Sequence, residues 1–281
     1  MGRDEGAINK MFHALLTRMD ASAFLGFRGW DFSFRSMRER YGLTFLGQVA
    51  LRHPWRTFGG ILKYRKLLSQ QEGHHGMTRM FEGSDAEFVR RLCEAKTGLL
   101  VAVGFCQKPR APACPARRPN HDCVYLDNLD FQTEGRTVNP ACERCDIRTL
   151  GTLALRAGAC MHIMTSALDI ARDVMIPSVD HGRFQNVIMC LCPYSVRVIA
   201  LPLTICGLEG YLVGYESGAC ANWDQWFLAD RGIKHEMTML GSTSHASVVS
   251  ALEMIAHARA MEGLSFASFR RESNIYEPVL R

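Results

Sequence analysis

Short, uninterrupted apolar runs mark the chain from residue 99 onward. Residues 99–106 read Leu-Leu-Val-Ala-Val-Gly-Phe-Cys, with no polar alternation. That is the pattern of a strand covered on both faces, as in a parallel sheet. Cys160–Met164, Asn186–Leu191 and residues 211–215 repeat it. Between these runs the apolar positions fall at helical spacing. Helices are predicted over 147–157 (ending at Gly158), over 166–175 (capped by Ser166) and over 194–208 (opening at Pro193 and bent at Pro202). Residues 196–205 also read as a strand. A long helix is predicted over 242–260, with Ser242 or Ser244 as its cap. Strands alternating with helices predict an α/β fold with a Rossmann-like, mainly parallel sheet.

The first 92 residues read differently, as a helical region. Helical patterns fall at 7–18, 43–51 and 55–68, and Ser84 with Glu87 forms a capping box for a helix through residue 95. Residues 52–68 are basic, aromatic and amphipathic. They suit a surface helix packing on the core, or a docking face for a membrane surface or a partner protein. Gly59 and Gly60 would weaken that helix in isolation. Residues 70–77, with His74 and His75, read as a polar linker. The predicted division is therefore 1–92 helical, 93–265 α/β and cysteine-rich, and 266–281 a C-terminal tail.

Composition changes the picture in one respect. The net charge of +5, from 33 basic and 28 acidic residues, is too small for a nucleic-acid footprint. No apolar signal core follows the charged first residues, Gly6 fails the myristoylation pattern, and the apolar run 198–208 is too short to span a bilayer. A cytoplasmic protein is expected. In that compartment its 11 cysteines point to metal or redox chemistry rather than structural disulfides.

The placement of the thiols carries the functional reading. Cys106 closes the first predicted strand, Cys190 and Cys192 close the third, and Cys220 follows the fourth. Ligands of open parallel sheets bind at those carboxyl ends. Cys192 also stands where a helix begins, which favours a thiolate. Residues 107–141 hold five of the chain's ten prolines and cannot be regular throughout. This loop brings Cys114, Cys123, Cys142 and Cys145, the last two as a Cys-x2-Cys pair. The surplus of thiols favours an iron–sulfur cluster, a 4Fe-4S centre or more than one. Zinc, held by four thiolates or by three with His121, is the alternative. Cys93, Cys160 and Cys206 lie within helix or strand patterns and read as small buried hydrophobes.

Around Cys220 the sequence gathers Glu216, Asn222, Trp223, Asp224 and Trp226. Glu216, Asp224 and Cys220 are the candidate catalytic groups. A polar glycine turn would have the same composition. Arg117 and Arg118 are candidates for an anionic substrate or are simply solvated, and His162 and His181 read as structural. The chain has no Walker loop, no Gly-x-Gly-x-x-Gly fingerprint, no Gly-x-Ser-x-Gly elbow and no Cys-x3-Cys-x2-Cys motif.

The order Gly104-Phe105-Cys106-Gln107, Ala113-Cys114-Pro115-Ala116-Arg117, Cys123 and Cys142-x2-Cys145-Asp146-Ile147 resembles the family catalogued as domain of unknown function 116. The cysteines at 190 or 192 and the turn Gly218-Ala219-Cys220-Ala221-Asn222 continue the likeness, which spans roughly residues 98–240. Arg144 stands where the family pattern has glycine, and the loop before Cys142 is longer. The resemblance implies a cysteine-rich, iron–sulfur protein with an α/β core, and no particular reaction.

Three functions fit these residues. One is an enzyme (lyase, sulfurtransferase or oxidoreductase) using the cluster for Lewis-acid, sulfur or redox chemistry on a small molecule. Another is an electron-transfer protein docking a redox partner. The third is a zinc-stabilised interaction protein without catalysis.

Overall fold

The predicted buried strands assemble into one sheet. The structure, a computed structural model, describes residues 35–70, 77–95, 98–129, 138–264 and 266–280. The strands are β1 (Met77–Arg79), β2 (Leu99–Gly104), β3 (Cys160–Met164), β4 (Asn186–Leu191), β5 (Glu209–Ser217), β6 (Met239–Leu240), β7 (Phe266–Glu272) and β8 (Ile275–Leu280). Their order is β1-β5-β4-β2-β3-β8-β7, with β6 beside β5. The four central strands, β5, β4, β2 and β3, run parallel. The flanking strands pair antiparallel.

Both faces of the parallel core are covered, which explains its unbroken apolar runs. The main helices are α1 (Pro54–Gln70), α2 (Asp85–Glu94), α3 (Asp146–Arg156), α4 (Pro193–Ile205), α5 (Trp223–Asp230) and α6 (Ser242–Met261). Val101 and Val103 pack with Phe88 and Leu92 of α2, Leu150 and Leu155 of α3, and Leu252 of α6. Leu100 and Ala102 face the other way, toward Tyr64 and Leu67 of α1, Leu203 of α4, and Val174 of the helical segment between β3 and β4. Full burial of each such leucine or valine side chain stabilises the fold by about 2 kcal/mol before entropy is counted.

The chain therefore crosses from β2 to β3 over one face and from β3 to β4 over the other. Its direction reverses between the carboxyl ends of β2 and β4. In open α/β sheets that crevice is where ligands bind.

Local signals explain several boundaries. Ser84 accepts from the Glu87 amide, and Glu87 answers to the Ser84 amide, completing the predicted capping box. Ser166 caps the turn Ala167–Asp169, which continues as a π-helical turn, Ile170–Met175, and the helix Ile176–His181. Residues 193–205 are helical despite Pro202, so the alternative strand reading of 196–205 is wrong. Neither Ser242 nor Ser244 caps α6; Gly241 holds that position without a side-chain bond. Of the pattern at 43–51, Arg40–Phe45 is α-helical and Leu46–Ala50 is π-helical. The pattern at 7–18 and the pair His74-His75 lie outside the described residues.

Two segments differ from the sequence reading. The first, Met77–Arg79, joins the sheet beside β5 within the region read as helical. Residues 266–280 form a hairpin rather than a tail, and β8 pairs with β3 through Met161–Tyr276 and His162–Ile275. Arg270, Arg271 and Glu272 hid this strand, because charge is tolerated on a sheet edge. In the N-terminal region, α1 does pack on the core. A Cβ on Gly60 would stand 2.6 Å from the Cα of Ile205, so glycine permits the close approach of α1 to α4. A second stripe, Leu51, Trp55, Phe58 and Leu62, stays exposed, with Trp55 at 86%. Among the described residues no helix is long and apolar enough to cross a membrane.

Candidate functional site

The 3-10 turn Phe105–Gln107 ends β2 and organises the region. Its backbone is pinned from three sides. The Thr238 amide donates to the Cys106 carbonyl at 3.0 Å, and the Arg118 guanidinium donates to the same carbonyl at 3.0 Å. Gln107, fully buried, donates to Asp146 at the start of α3 and shares the Tyr215 hydroxyl proton with the Cys190 carbonyl. Tyr215 in turn accepts from the Gly104 amide at 2.9 Å. The carboxyl ends of β2, β4 and β5 are thus tied together by one side chain.

The eight predicted thiols divide into two groups on either side of this turn. Cys106, Cys123, Cys145, Cys190, Cys192 and Cys220 all belong to one buried cluster on the same sheet face. Beside it, Cys142 neighbours Cys123 and Cys145, and Cys114 neighbours Cys142 and Cys145. Cys106, Cys192 and Cys220 interact with one another, and Cys190 with Cys106. The prediction of convergence at strand ends holds for the second group. The loop thiols gather separately.

In the loop group, burial pushes Cys123 up to about 12, against the amides of Leu126 and Tyr125, which favour its thiolate. Burial raises Cys145 too, opposed by the amides of Arg148 and Ile147 at the start of α3. Burial also raises Cys142. Lys108 belongs to this group, and no sequence signal beyond its nearness to Cys106 marked it. It is 1% exposed, and its ammonium donates to the carbonyls of Arg117 and Asn120 at 3.1 and 2.8 Å. Burial lowers its pKa, while Cys114 and Cys123 oppose that shift. A cation thus sits beside three thiols, Cys114, Cys123 and Cys145. Tyr276 of β8 anchors Cys123, accepting from its amide at 3.0 Å.

The donor chemistry suits a thiophilic centre: four thiols, two of them facing backbone N–H groups and three near a buried cation. Among the described residues no three His, Cys, Asp or Glu side chains converge on a single ion position. His121 does not join the thiols. Its ring bonds the Ile163 carbonyl at 2.7 Å and stacks on His162, 5.6 Å away. His162 is fully buried, and that burial lowers its pKa to about 3, so it is a neutral core residue as read.

The strand-end group lines a cavity of about 110 Å³ whose walls include Tyr41, Cys106, Cys192, Cys220, Trp226 and Lys234. Cys192 holds the N-cap position of α4 without a side-chain bond, but the thiolate expected there is not favoured, because the neighbouring Cys220 and burial raise the Cys192 pKa. The Thr238 hydroxyl donates to Cys106 Sγ at 3.1 Å. The Cys220 amide donates to Cys192 Sγ at 3.3 Å. The neighbouring Cys192 thiol lowers the Cys220 pKa against burial, and the Lys234 ammonium adds to the effect. Lys234 is a second group that sequence reasoning missed; its side chain is 5% exposed and pairs with Glu236 at 3.3 Å.

The two predicted carboxylates do not join Cys220. Glu216 is exposed and borders a separate groove with Pro193, Tyr194 and Ser242. Asp224 is 89% exposed, on the first turn of α5, beside Arg35. Neighbouring sequence positions were misleading here, because β5 turns Glu216 away from the cavity and the helix turns Asp224 to solvent. Arg118 is no anion site either: it donates to the carbonyls of Cys106, Lys234 and Glu236. No protein-family model, curated protein or solved structure matches the chain.

Proposed function

We propose that the protein holds an iron–sulfur cluster through Cys114, Cys123, Cys142 and Cys145. One observation carries this reading: Cys114, Cys123 and Cys145 act on the buried Lys108 ammonium, and Cys142 lies beside Cys114 and Cys145. Thiolates facing N–H groups are the usual surroundings of such clusters, whose potentials those bonds tune. Lys108 offsets part of the thiolate charge. When bound, a 4Fe-4S centre would supply Lewis-acid or electron-transfer chemistry. The resemblance to domain of unknown function 116 agrees with this assignment. So does a Rossmann-like reading of the doubly covered core.

The neighbouring cavity supports an enzyme acting on a small molecule over a carrier of electrons alone. It opens at the reversal of strand order, where α/β proteins place substrates. A reducing, cytoplasmic setting suits eleven free thiols.

Anaerobic purification followed by iron, zinc and acid-labile sulfide analysis tests the reading. Iron and sulfide in matching amounts, lost in Cys114→Ser and Cys145→Ser, are expected. Stoichiometric zinc without sulfide would replace the cluster with the zinc-stabilised alternative. Metal content indifferent to both substitutions would end the ligand assignment.

A further inference from the structure

The thiols of the strand-end cavity are not equivalent. Cys190 is fully buried. Cys106 accepts the Thr238 hydroxyl and is held at the turn. The Cys220 amide donates to Cys192 Sγ at 3.3 Å, and both side chains line the same small cavity, which brings the two thiols side by side. Their backbones are fixed independently. Cys192 heads the 13-residue helix α4. Cys220 follows Gly218, which has φ of +65°; a Cβ there would stand 2.0 Å from the Met237 carbonyl oxygen. That contact seats the Cys220 turn against the segment that carries Thr238 into β6 and places Lys234 beside Cys220. The rest of the cavity wall is mixed, with Ile199 and Trp226 beside the polar Tyr41, Thr165, Ser195 and Asp230.

We propose that Cys220 and Cys192 form a dithiol site for exchange with a small disulfide, Cys220 attacking and Cys192 resolving. The Cys220 thiolate attacks one sulfur of R–S–S–R′, the Cys220–S–R bond forms, and R′S⁻ leaves to take a proton from water. Cys192 then loses its proton to water and attacks Cys220 Sγ. The Cys192–Cys220 bond forms, and RS⁻ leaves and is protonated. Two electrons pass from the protein dithiol to the substrate disulfide, which ends as two thiols. A dithiol reductant reverses the protein disulfide. A space of about 110 Å³, a few water volumes, admits the CH₂–S–S–CH₂ part of a small disulfide and excludes a folded polypeptide.

Lys234 gives the site its polarity. It is the ammonium beside Cys220, and its own partner is the surface carboxylate Glu236. Attack by Cys220 leaves Cys192 as the thiol beside the sulfur it must reach. The assignment does not depend on the cluster, whose proposed ligands are the other four thiols.

The test uses the reduced full chain and 2,2′-dithiodipyridine, read by release of the thiopyridone, then alkylation and peptide mass spectrometry. A fast phase ending in a Cys192–Cys220 disulfide is expected. Cys192→Ser should stop at a mixed disulfide on Cys220, and Cys220→Ser should slow the fast phase by about tenfold or more. Lys234→Gln should slow it without changing the order of events. A wild-type peptide map with no Cys192–Cys220 link, or a fast phase unchanged in Cys220→Ser, overturns the proposal. The map alone decides if a variant fails to fold. Iron and sulfide are measured on the same samples. Loss of iron from Cys192→Ser or Cys220→Ser would make these residues cluster ligands and also overturn the proposal. Loss from the Cys114 or Cys145 variants alone bears only on the cluster.

Discussion

The Cys220 amide donates to Cys192 Sγ at 3.3 Å, at the N-cap of α4. The pairing is asymmetric: the proximity of the two thiols raises the pKa of Cys192 and lowers that of Cys220. Lys234 reinforces it, while burial and Glu236 oppose it. Cys93 is a built-in reference, a surface-side thiol that burial pushes up. Alkylation of Cys220 by iodoacetamide should reach its plateau at lower pH than alkylation of Cys93. Lys234→Gln should move the Cys220 midpoint upward by about one pH unit. Identical profiles for the two cysteines would contradict the asymmetry.

Asp230 closes α5 and accepts the Ala167 amide at 2.6 Å. Burial raises its pKa to about 6 from 3.8; Ala167 and Arg231 oppose the shift, and Asp169 and Glu39 add to it. A raised folded value means stability that is fully present below 3.8 and lost as pH rises through 6. Asp230→Asn keeps an oxygen for Ala167 and cannot ionise. The variant should be more stable than wild type above pH 6, by up to about 3 kcal/mol, and the difference should vanish below 3.8. Thermal melts across that range check it.

Arg259 of α6 is 1% exposed and donates to the carbonyls of Ala157, Leu92 and Ala95. It closes the C-terminal ends of α2 and α3 at once. Arg259→Met keeps the volume and strands those carbonyls, at a cost of about 3 kcal/mol. Urea unfolding should show a lower midpoint with an unchanged slope.

Tyr276 donates to Asp127 at 2.9 Å and accepts the Cys123 amide at 3.0 Å. Tyr276→Phe should cost about 1–2 kcal/mol. Hydrogen exchange at the Cys123 amide should speed up more than in β2, whose amides bond within the sheet.

The central strands were readable because burial on both faces leaves an unbroken apolar run. Ser84 and Glu87 were readable because capping is local chemistry. The C-terminal hairpin was not, since its register is fixed by β3 and its charges sit on an edge. Strand-end geometry foretold that Cys106, Cys192 and Cys220 would meet. It could not foretell that the loop thiols form a group of their own, because that depends on how Lys108 and Arg118 fold the loop back. Lys234 reaches Cys220 only through the turn packed at Gly218, a tertiary contact with no local signature.

The turn Phe105–Gln107 carries Cys106 toward one thiol group and leads directly into Lys108 in the other. Two peptide units are too short and too firmly anchored to absorb a displacement, so neither grouping can rearrange privately. A displacement of this turn on binding at one grouping would reach the other, and thermodynamic reciprocity would then make the effect equal in both directions.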